Sequence, residues 1–370
     1  MISLLRKDLE KALKITSITI SNSNPDISSH FIFRLGGKEL EVLSYSGRVF
    51  SSIKVPCESD SPCEEFSIEG KRLKIWLSAI SDETLYLEYN GGVVTARCKK
   101  GSVRFSSLST LDFPYWDESL AVAKETVSVS AERLRESLSY AKNFVSDNET
   151  VTPGICLTEF RDGVLYATDK QGAALIIMPG MDKVTARVHG KQIPSILKFL
   201  SLSEGEVRIL ECEEAIFFIN STGAIIGDCK SSHSFPDMHQ LVEAPSKAKN
   251  KWKVNRKDVL ENITLLSSSA NWEDTNLELM KIDNNLHMKM LSVSGDEAIM
   301  STPILEVEAP EEDAISSFNV PSDYLLKILE NTTQETIELG LVARSPGGWM
   351  ILVEDLKEDK KITILSWSIV

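Results

Sequence analysis

The side chains that most often perform catalysis or hold metals are few and scattered in this chain. Its five histidines stand at positions 30, 189, 233, 239 and 287, and its six cysteines at 57, 63, 98, 156, 212 and 229. Structural zinc sites are built from closely spaced cysteine and histidine pairs. No Cys-x-x-Cys pair occurs, and His233 and His239 bracket a Phe-Pro dipeptide as polar residues around a junction. The run Glu306-Val307-Glu308-Ala309-Pro310-Glu311-Glu312-Asp313 holds enough carboxylates for Mg²⁺, but a Pro-containing loop on an acidic surface is the commoner meaning of such a run. There is no Gly-x-x-x-x-Gly-Lys-Ser/Thr phosphate loop, no Gly-x-Gly-x-x-Gly, no His-Glu-x-x-His and no Gly-x-Ser-x-Gly. No nucleophile, base or metal set is therefore legible, no cofactor or metal is assigned, and the chain reads as a non-enzyme. An active site assembled from residues distant in sequence stays open as an alternative.

What remains is charge and its placement. Forty Lys and Arg face 54 Asp and Glu, a formal balance of −14, which argues against nucleic acid unless the cations cluster. The hydrophobic share of 42% and charged share of 25% are those of a folded globular chain of two or three domains. The N-terminus becomes charged at Arg6-Lys7-Asp8, and Ala173-Ala174-Leu175-Ile176-Ile177-Met178 falls short of a membrane span, so a cytoplasmic protein with reduced, mostly core thiols is expected.

The elements that position these charges recur three times. Arg6-Lys7-Asp8-Leu9-Glu10-Lys11-Ala12-Leu13 has counterparts starting at Ala131 and Arg256, with apolar anchors Leu9, Leu134 and Val259 spaced by 125 residues each time. A second marker starts at Phe66, Ala186 and Phe318, with anchors Leu73, Ile193 and Leu325. Apolar residues at i and i+4 after a short β-like stretch predict a strand feeding an amphipathic helix in all six places. Period-two stretches such as Leu85-Tyr86-Leu87-Glu88-Tyr89, with Asn90-Gly91-Gly92 and Arg161-Asp162-Gly163 turn signals, predict hairpins between them. Asp112-Phe113-Pro114 and Ser234-Phe235-Pro236 mark two junctions, followed by polar linkers over 118–125 and 244–251. The expectation is an α+β protein of three domains, 1–121, 122–245 and 246–370, each with two helices on antiparallel sheets.

This pattern resembles the β subunit of bacterial DNA polymerase III, the β sliding clamp family, over essentially the whole chain. The most specific local matches are Arg104 through Pro114, Ala167-Thr168-Asp169 and Phe235-Pro236-Asp237. The resemblance implies three tandem clamp-type domains and a head-to-tail homodimer ring whose helices face double-stranded DNA without reading its bases. The function implied is a processivity factor that tethers the replicative polymerase; the alternative is a repeat-domain scaffold that binds only proteins. On the predicted helices stand Lys7, Lys11 and Lys14; Lys71, Arg72 and Lys74; Arg133, Arg135 and Lys142; Lys191 and Lys198; Lys257; and Lys327, so the cations favour the DNA-facing side.

The resemblance also implies an apolar pocket between the second and third domains, where polymerase and clamp loader dock through short linear peptides. Carried over by motif it comprises Thr168, Lys170, Gln171, Gly172 and Ala173, then Pro236, Gln240 and Leu241, then Ile364, Ser366 and Ser368. The chain departs from the family in two places. Lys170-Gln171-Gly172-Ala173 replaces the usual Gly-His-Arg-Leu, and Ser366-Trp367-Ser368-Ile369-Val370 replaces a Met-Pro-Met-Arg-like tail. Losing the arginine and the flexible methionines should change the pocket's peptide preference. A remote member, for example a phage-encoded clamp serving its own polymerase, is the implied kind. Read without the family, 169–172 is a tight turn and the C-terminal segment an edge strand.

Overall fold

The computed structural model describes residues 1–21, 26–60, 63–150, 152–268, 276–291, 297–309, 315–344, 347–355 and 360–368. Contacts divide the chain into two compact units: Met1–Leu138 with Lys191–Ser231, and Ser139–Gly190 with Ser232–Val370. The middle third of the chain thus contributes strands to both units.

Six helices follow the six predicted strand-to-helix signals. They are α1 (Arg6–Thr16), α2 (Gly70–Ala79), α3 (Ala131–Ala141), α4 (Ile193–Ser201), α5 (Arg256–Ser268) and α6 (Ser322–Glu330). Each begins directly after a strand or one short 3-10 turn, and its apolar stripe is buried. In α1 the stripe is Leu9, Ala12, Leu13 and Thr16, the two leucines being at most 4% exposed. Burying one such side chain stabilises by roughly 1.5–3 kcal/mol, which exceeds any intrinsic helix preference of the segment.

One backbone contact repeats with the helices. The first amide of α1 donates to Glu83 O at 2.8 Å, that of α3 to Gly205 O at 2.9 Å and that of α5 to Glu335 O at 2.9 Å. In each case the acceptor immediately precedes a strand, Thr84–Asn90, Glu206–Glu211 or Thr336–Arg344. None of these helices needs a side-chain cap for that first orphan N–H, because the neighbouring strand supplies the acceptor. The same local construction is made three times from different residues.

The first unit contains a five-stranded sheet ordered Glu58–Ser59, Ile2–Leu5, Thr84–Asn90, Val93–Cys98, Gly101–Ser106. Its second sheet has eight strands, ordered Lys124–Ser130, Glu206–Glu211, Ala215–Ile219, Ile225–Cys229, Val49–Pro56, Glu39–Ser46, His30–Gly36, Cys63–Glu69. The sheet is continuous across the sequence repeat: Ile225 pairs with Ser52 and Gly227 with Phe50. Gly227 is required there, since a Cβ would lie 2.2 Å from the Phe50 ring, which stacks on Trp116 at 4.7 Å.

The second unit contains a twelve-stranded antiparallel sheet. Four strands, Ala186–His189, Leu157–Arg161, Val164–Thr168 and Gly172–Ile177, lead into the C-terminal strand Lys360–Ser368. That strand pairs with Gly172–Ile177 on one side and Gly347–Asp355 on the other, and its Ser368 pairs with Asn319, so the strands of the last third close on themselves. The C-terminal segment is therefore an interior strand and not an edge, because both its hydrogen-bonding sides are occupied.

Two local expectations change. The linkers over 118–125 and 244–251 contain short helices, Asp117–Val122 and Ala244–Lys247, and then enter strands. The acidic run expected as a loop begins inside the strand Glu297–Glu308, where Glu306 and Glu308 lie 3.5 and 3.3 Å from Lys253 and Lys251. The rest of that run, 310–313, lies outside the described residues. Cross-strand lysines neutralise carboxylates that would otherwise disfavour pairing. Cys57 and Cys156 are buried, while Cys98, Cys212 and Cys229 are only half-buried, so core burial holds for fewer thiols than expected. No helix among the described residues is long and apolar enough to cross a membrane.

Candidate functional site

Two sites were expected, a set of cation-bearing helix faces and an apolar pocket. On α1 the exposed positions Lys7, Lys11 and Lys14 follow i, i+4, i+7 spacing and form one stripe opposite the buried leucines. On α2 Lys71 and Arg72 are exposed, while Lys74 is half-buried with its Nζ 5.5 Å from the centre of the Phe31 ring. Burial, and second to it the charge of Lys198, pushes the Lys74 ammonium below the usual lysine range. Lys14 and Lys74 line one groove of about 270 Å³ with Glu10, Leu13, Ser17, Leu77 and Ser78.

The other expected cations are placed less uniformly. Arg133 and Arg135 are half-buried on the flanks of α3, and Lys142 is exposed in the 3-10 turn that follows it. Lys191 and Lys198 are exposed at the two ends of the α4 region, and Lys257 is exposed at the start of α5. Lys327 is exposed on α6, with its ammonium 5.0 Å from the Tyr324 ring. The expected sign bias is thus strongest on α1 and α2.

The pocket lies wholly within the second unit. A cavity of about 390 Å³ is lined by Thr168, Lys170, Gln171, Gly172, Ala173, Pro236, Leu241 and Ile364, together with Thr152, Ile155, Met238 and Trp349. The turn at its rim is held by short-range polar bonds. Asp169 Oδ1 accepts from the amides of Gln171 and Gly172 at 3.0 and 2.9 Å, and the Thr168 hydroxyl donates to Gly172 O at 2.7 Å. These bonds hold Lys170 at a φ of 80°, a conformation a non-glycine residue adopts only under such constraint. The segment is thus a tight turn and a pocket wall at once. Burial pushes the Asp169 carboxyl up, against the opposing effect of the two amides.

The junction supplies the opposite wall. Phe235 and Met238 are buried in a core that includes Leu157, Tyr166, Leu175, Ile351 and Ile362, and the 3-10 helix His239–Glu243 carries Leu241. Gly154 lets the turn Pro153–Cys156 close against this junction, since a Cβ would meet Ser234 O at 2.1 Å. That approach delivers Thr152 and Ile155 to the cavity. Buried Glu159 anchors the same region through Arg187, whose Nε lies at 2.8 Å, while Arg161 reaches Asp237 at 3.1 Å.

Gln240, expected in the pocket, is exposed on the outer side of its 3-10 helix and does not line the cavity, because one residue further along the turn the chain points Leu241 inward. For Ser366 and Ser368 only the backbone is described; they sit opposite Trp349 and Gly347 in the closing strand pair, and their side chains lie outside the described residues. Trp349 was missed because it enters the pocket through that pairing, which no local sequence signal reports. Met238 stands in the Phe-Pro-Asp-Met junction and was within reach of a sequence reading. No cluster of three metal-ligating side chains occurs among the described residues.

No protein-family model matches the chain, and no curated protein does. Solved structures do. The chain is similar to the DNA polymerase III subunit beta from Pseudomonas aeruginosa, at 16% identity and a TM-score of 0.83 over 100% of both chains. It is similar to Caulobacter crescentus pol III beta at 15% identity, TM-score 0.85, again over 100% of both. A Pseudomonas aeruginosa sliding clamp bound to griselimycin matches at 16% identity and TM-score 0.81, over 100% of this chain and 99% of that one. The chain therefore has the sliding-clamp fold from end to end, at low sequence identity.

Proposed function

We propose that this chain is a DNA sliding clamp, a non-catalytic processivity factor that encircles duplex DNA and tethers a replicative polymerase to it. The observation that carries the proposal is the match of the entire chain, with nothing left over at either end of the comparison, to polymerase III beta structures. The cationic stripe of α1 and the groove it shares with α2 support the reading, because they concentrate positive charge on helices of a chain whose net charge is −14. In this reading the three domains are 1–121, 122–245 and 246–370. Two copies close head to tail into a ring, and DNA is retained by topology with few phosphate contacts.

The second-unit cavity is the proposed docking site for linear peptides of the polymerase and the clamp loader. An apolar floor with a few polar groups at the rim suits a short peptide that buries one or two large side chains. Small-angle X-ray scattering on the purified protein tests the assembly. A hollow disc at about twice the 41.1 kDa chain mass is expected. A solid particle or an elongated monomer at every concentration, together with no gain in polymerase processivity when loader is present, would overturn the proposal.

A further inference from the structure

One set of exposed positions on the first helix of each repeat is structurally equivalent. Positions 7, 11 and 14 on α1 correspond by the 125-residue spacing to 132, 136 and 139 on α3 and to 257, 261 and 264 on α5, and all nine are exposed. Each trio lies opposite equivalent buried anchors: Leu9 and Leu13, Leu134 and Leu138, Val259 and Ile263. The chemistry at these positions differs sharply. α1 presents Lys7, Lys11 and Lys14; α3 presents Glu132, Glu136 and Ser139; α5 presents Lys257, Glu261 and Thr264.

The cations of the first unit also gather. Lys14 and Lys74 line the same groove, and the charge of Lys198 on α4 adds to burial in lowering the Lys74 ammonium. The groove's one carboxylate, Glu10, is engaged by Arg6 at 3.1 Å. Among the described residues no carboxylate lies within ion-pair distance of Lys7, Lys11, Lys14, Lys71, Lys74 or Lys198. Like charges gathered without counter-charges raise the local potential and favour a polyanion.

Resting on the clamp reading, we propose that phosphate contact is unequal among the three repeats. Backbone phosphate of the duplex is held by the cations of α1, α2 and α4, and Glu132 and Glu136 on α3 repel it. The duplex is drawn to one group of helices instead of being shared by equivalent ones. The second repeat's acidic stripe limits the number of simultaneous phosphate contacts, which keeps the attraction weak enough for sliding.

The test is fluorescence anisotropy of the full-length protein with a short linear duplex, titrated across salt concentrations. Open ends remove topological retention, so only direct phosphate contact is read. The variant Lys7→Glu/Lys11→Glu/Lys14→Glu is expected to weaken binding by about tenfold or more and to make the salt slope shallower by roughly 2.7, at about 0.9 per phosphate contact. Glu132→Lys/Glu136→Lys is expected to tighten binding and steepen the slope. Lys257→Glu/Lys327→Glu should weaken it several times less than the α1 triple. The neutral variant Lys7→Gln/Lys11→Gln/Lys14→Gln gives the same ordering should the reversal fail to fold. Equal losses from the α1 and Lys257/Lys327 variants, no gain from Glu132→Lys/Glu136→Lys, or no wild-type binding at low salt would each overturn the proposal. Ring mass by scattering and processive synthesis on a primed circular template, measured on the same preparations, report separately on the clamp reading. An intact, processive ring that fails the anisotropy test sinks this inference alone.

Discussion

Lys170 and Thr152 both line the second-unit cavity, and the lysine donates from Nζ to Thr152 Oγ1 at 2.7 Å. The contact joins the turn at 169–172 to the segment that precedes the 3-10 turn Pro153–Cys156, and it sets a positive charge beside an apolar floor. Trp349, Met238, Leu241 and Ile364 form that floor.

The floor should dominate peptide affinity and the lysine its selectivity. Trp349→Ala is expected to weaken binding of a peptide from the cognate polymerase by about 30-fold, the loss of an aromatic anchor worth about 2 kcal/mol. Lys170→Glu should instead penalise peptides that carry acidic residues, with little effect on neutral ones. Isothermal titration of a matched acidic and neutral peptide pair checks both. Equal losses for the two peptides in Lys170→Glu would show that the ammonium does not face the ligand.

Asp169 gives a pH prediction. Because burial raises its carboxyl above the ordinary 3.8, the native state holds the proton more tightly than the unfolded chain does. Stability from this group is thus greatest at low pH and declines as pH rises through 3.8 and the window above it. An asparagine keeps an acceptor for the Gln171 and Gly172 amides and cannot ionise. Asp169→Asn should therefore be more stable than the parent near pH 7 and equal to it at about pH 3, as read from urea midpoints. A less stable variant at neutral pH would mean that the charge itself strengthens the turn.

Gly227 tests the seam between the first two repeats. Gly227→Ala must displace the Phe50 ring from both its neighbour and Trp116, at a cost of about 1–3 kcal/mol. Denaturant unfolding followed by tryptophan fluorescence should show a lower midpoint. An unchanged midpoint would mean that the ring relocates freely.

Glu354 is 1% exposed; it accepts from the Thr333 amide at 2.6 Å and from the Thr333 hydroxyl, and lies 3.8 Å from Lys361, itself 7% exposed. Glu354→Ala strands a buried ammonium and a buried amide and should cost about 3–5 kcal/mol. Adding Lys361→Met to that variant should restore part of the loss, because a methionine fills the same space without charge. A double-mutant cycle by urea unfolding measures the recovery, and additive losses would show that the pair is not coupled.

How much of this was legible beforehand differs between elements and assembly. The six helices and the turns at Asn90-Gly91-Gly92 and Asp162-Gly163 were readable because helical periodicity and positive-φ turn residues are local properties, carried by a few neighbouring side chains. The threefold repeat was readable for the same reason, with local signals recurring at near-constant spacing. Two thirds of the pocket came from family motifs, but Trp349 and the outward turn of Gln240 did not.

The sequence by itself determined the strands, helices, repeats and charged residues. Tertiary structure alone decided which strands share a sheet, as with Gly227 opposite Phe50 and Ala173 opposite Ile364. It also decided which lysines share a surface. Backbone hydrogen bonding is common to every residue, so strand pairing between distant segments leaves no residue-specific mark; it is selected by side-chain packing once the chain has folded. Whether a lysine joins a cationic cluster likewise depends on the helix beside its own, as Lys74 on α2 shows with Lys14 on α1.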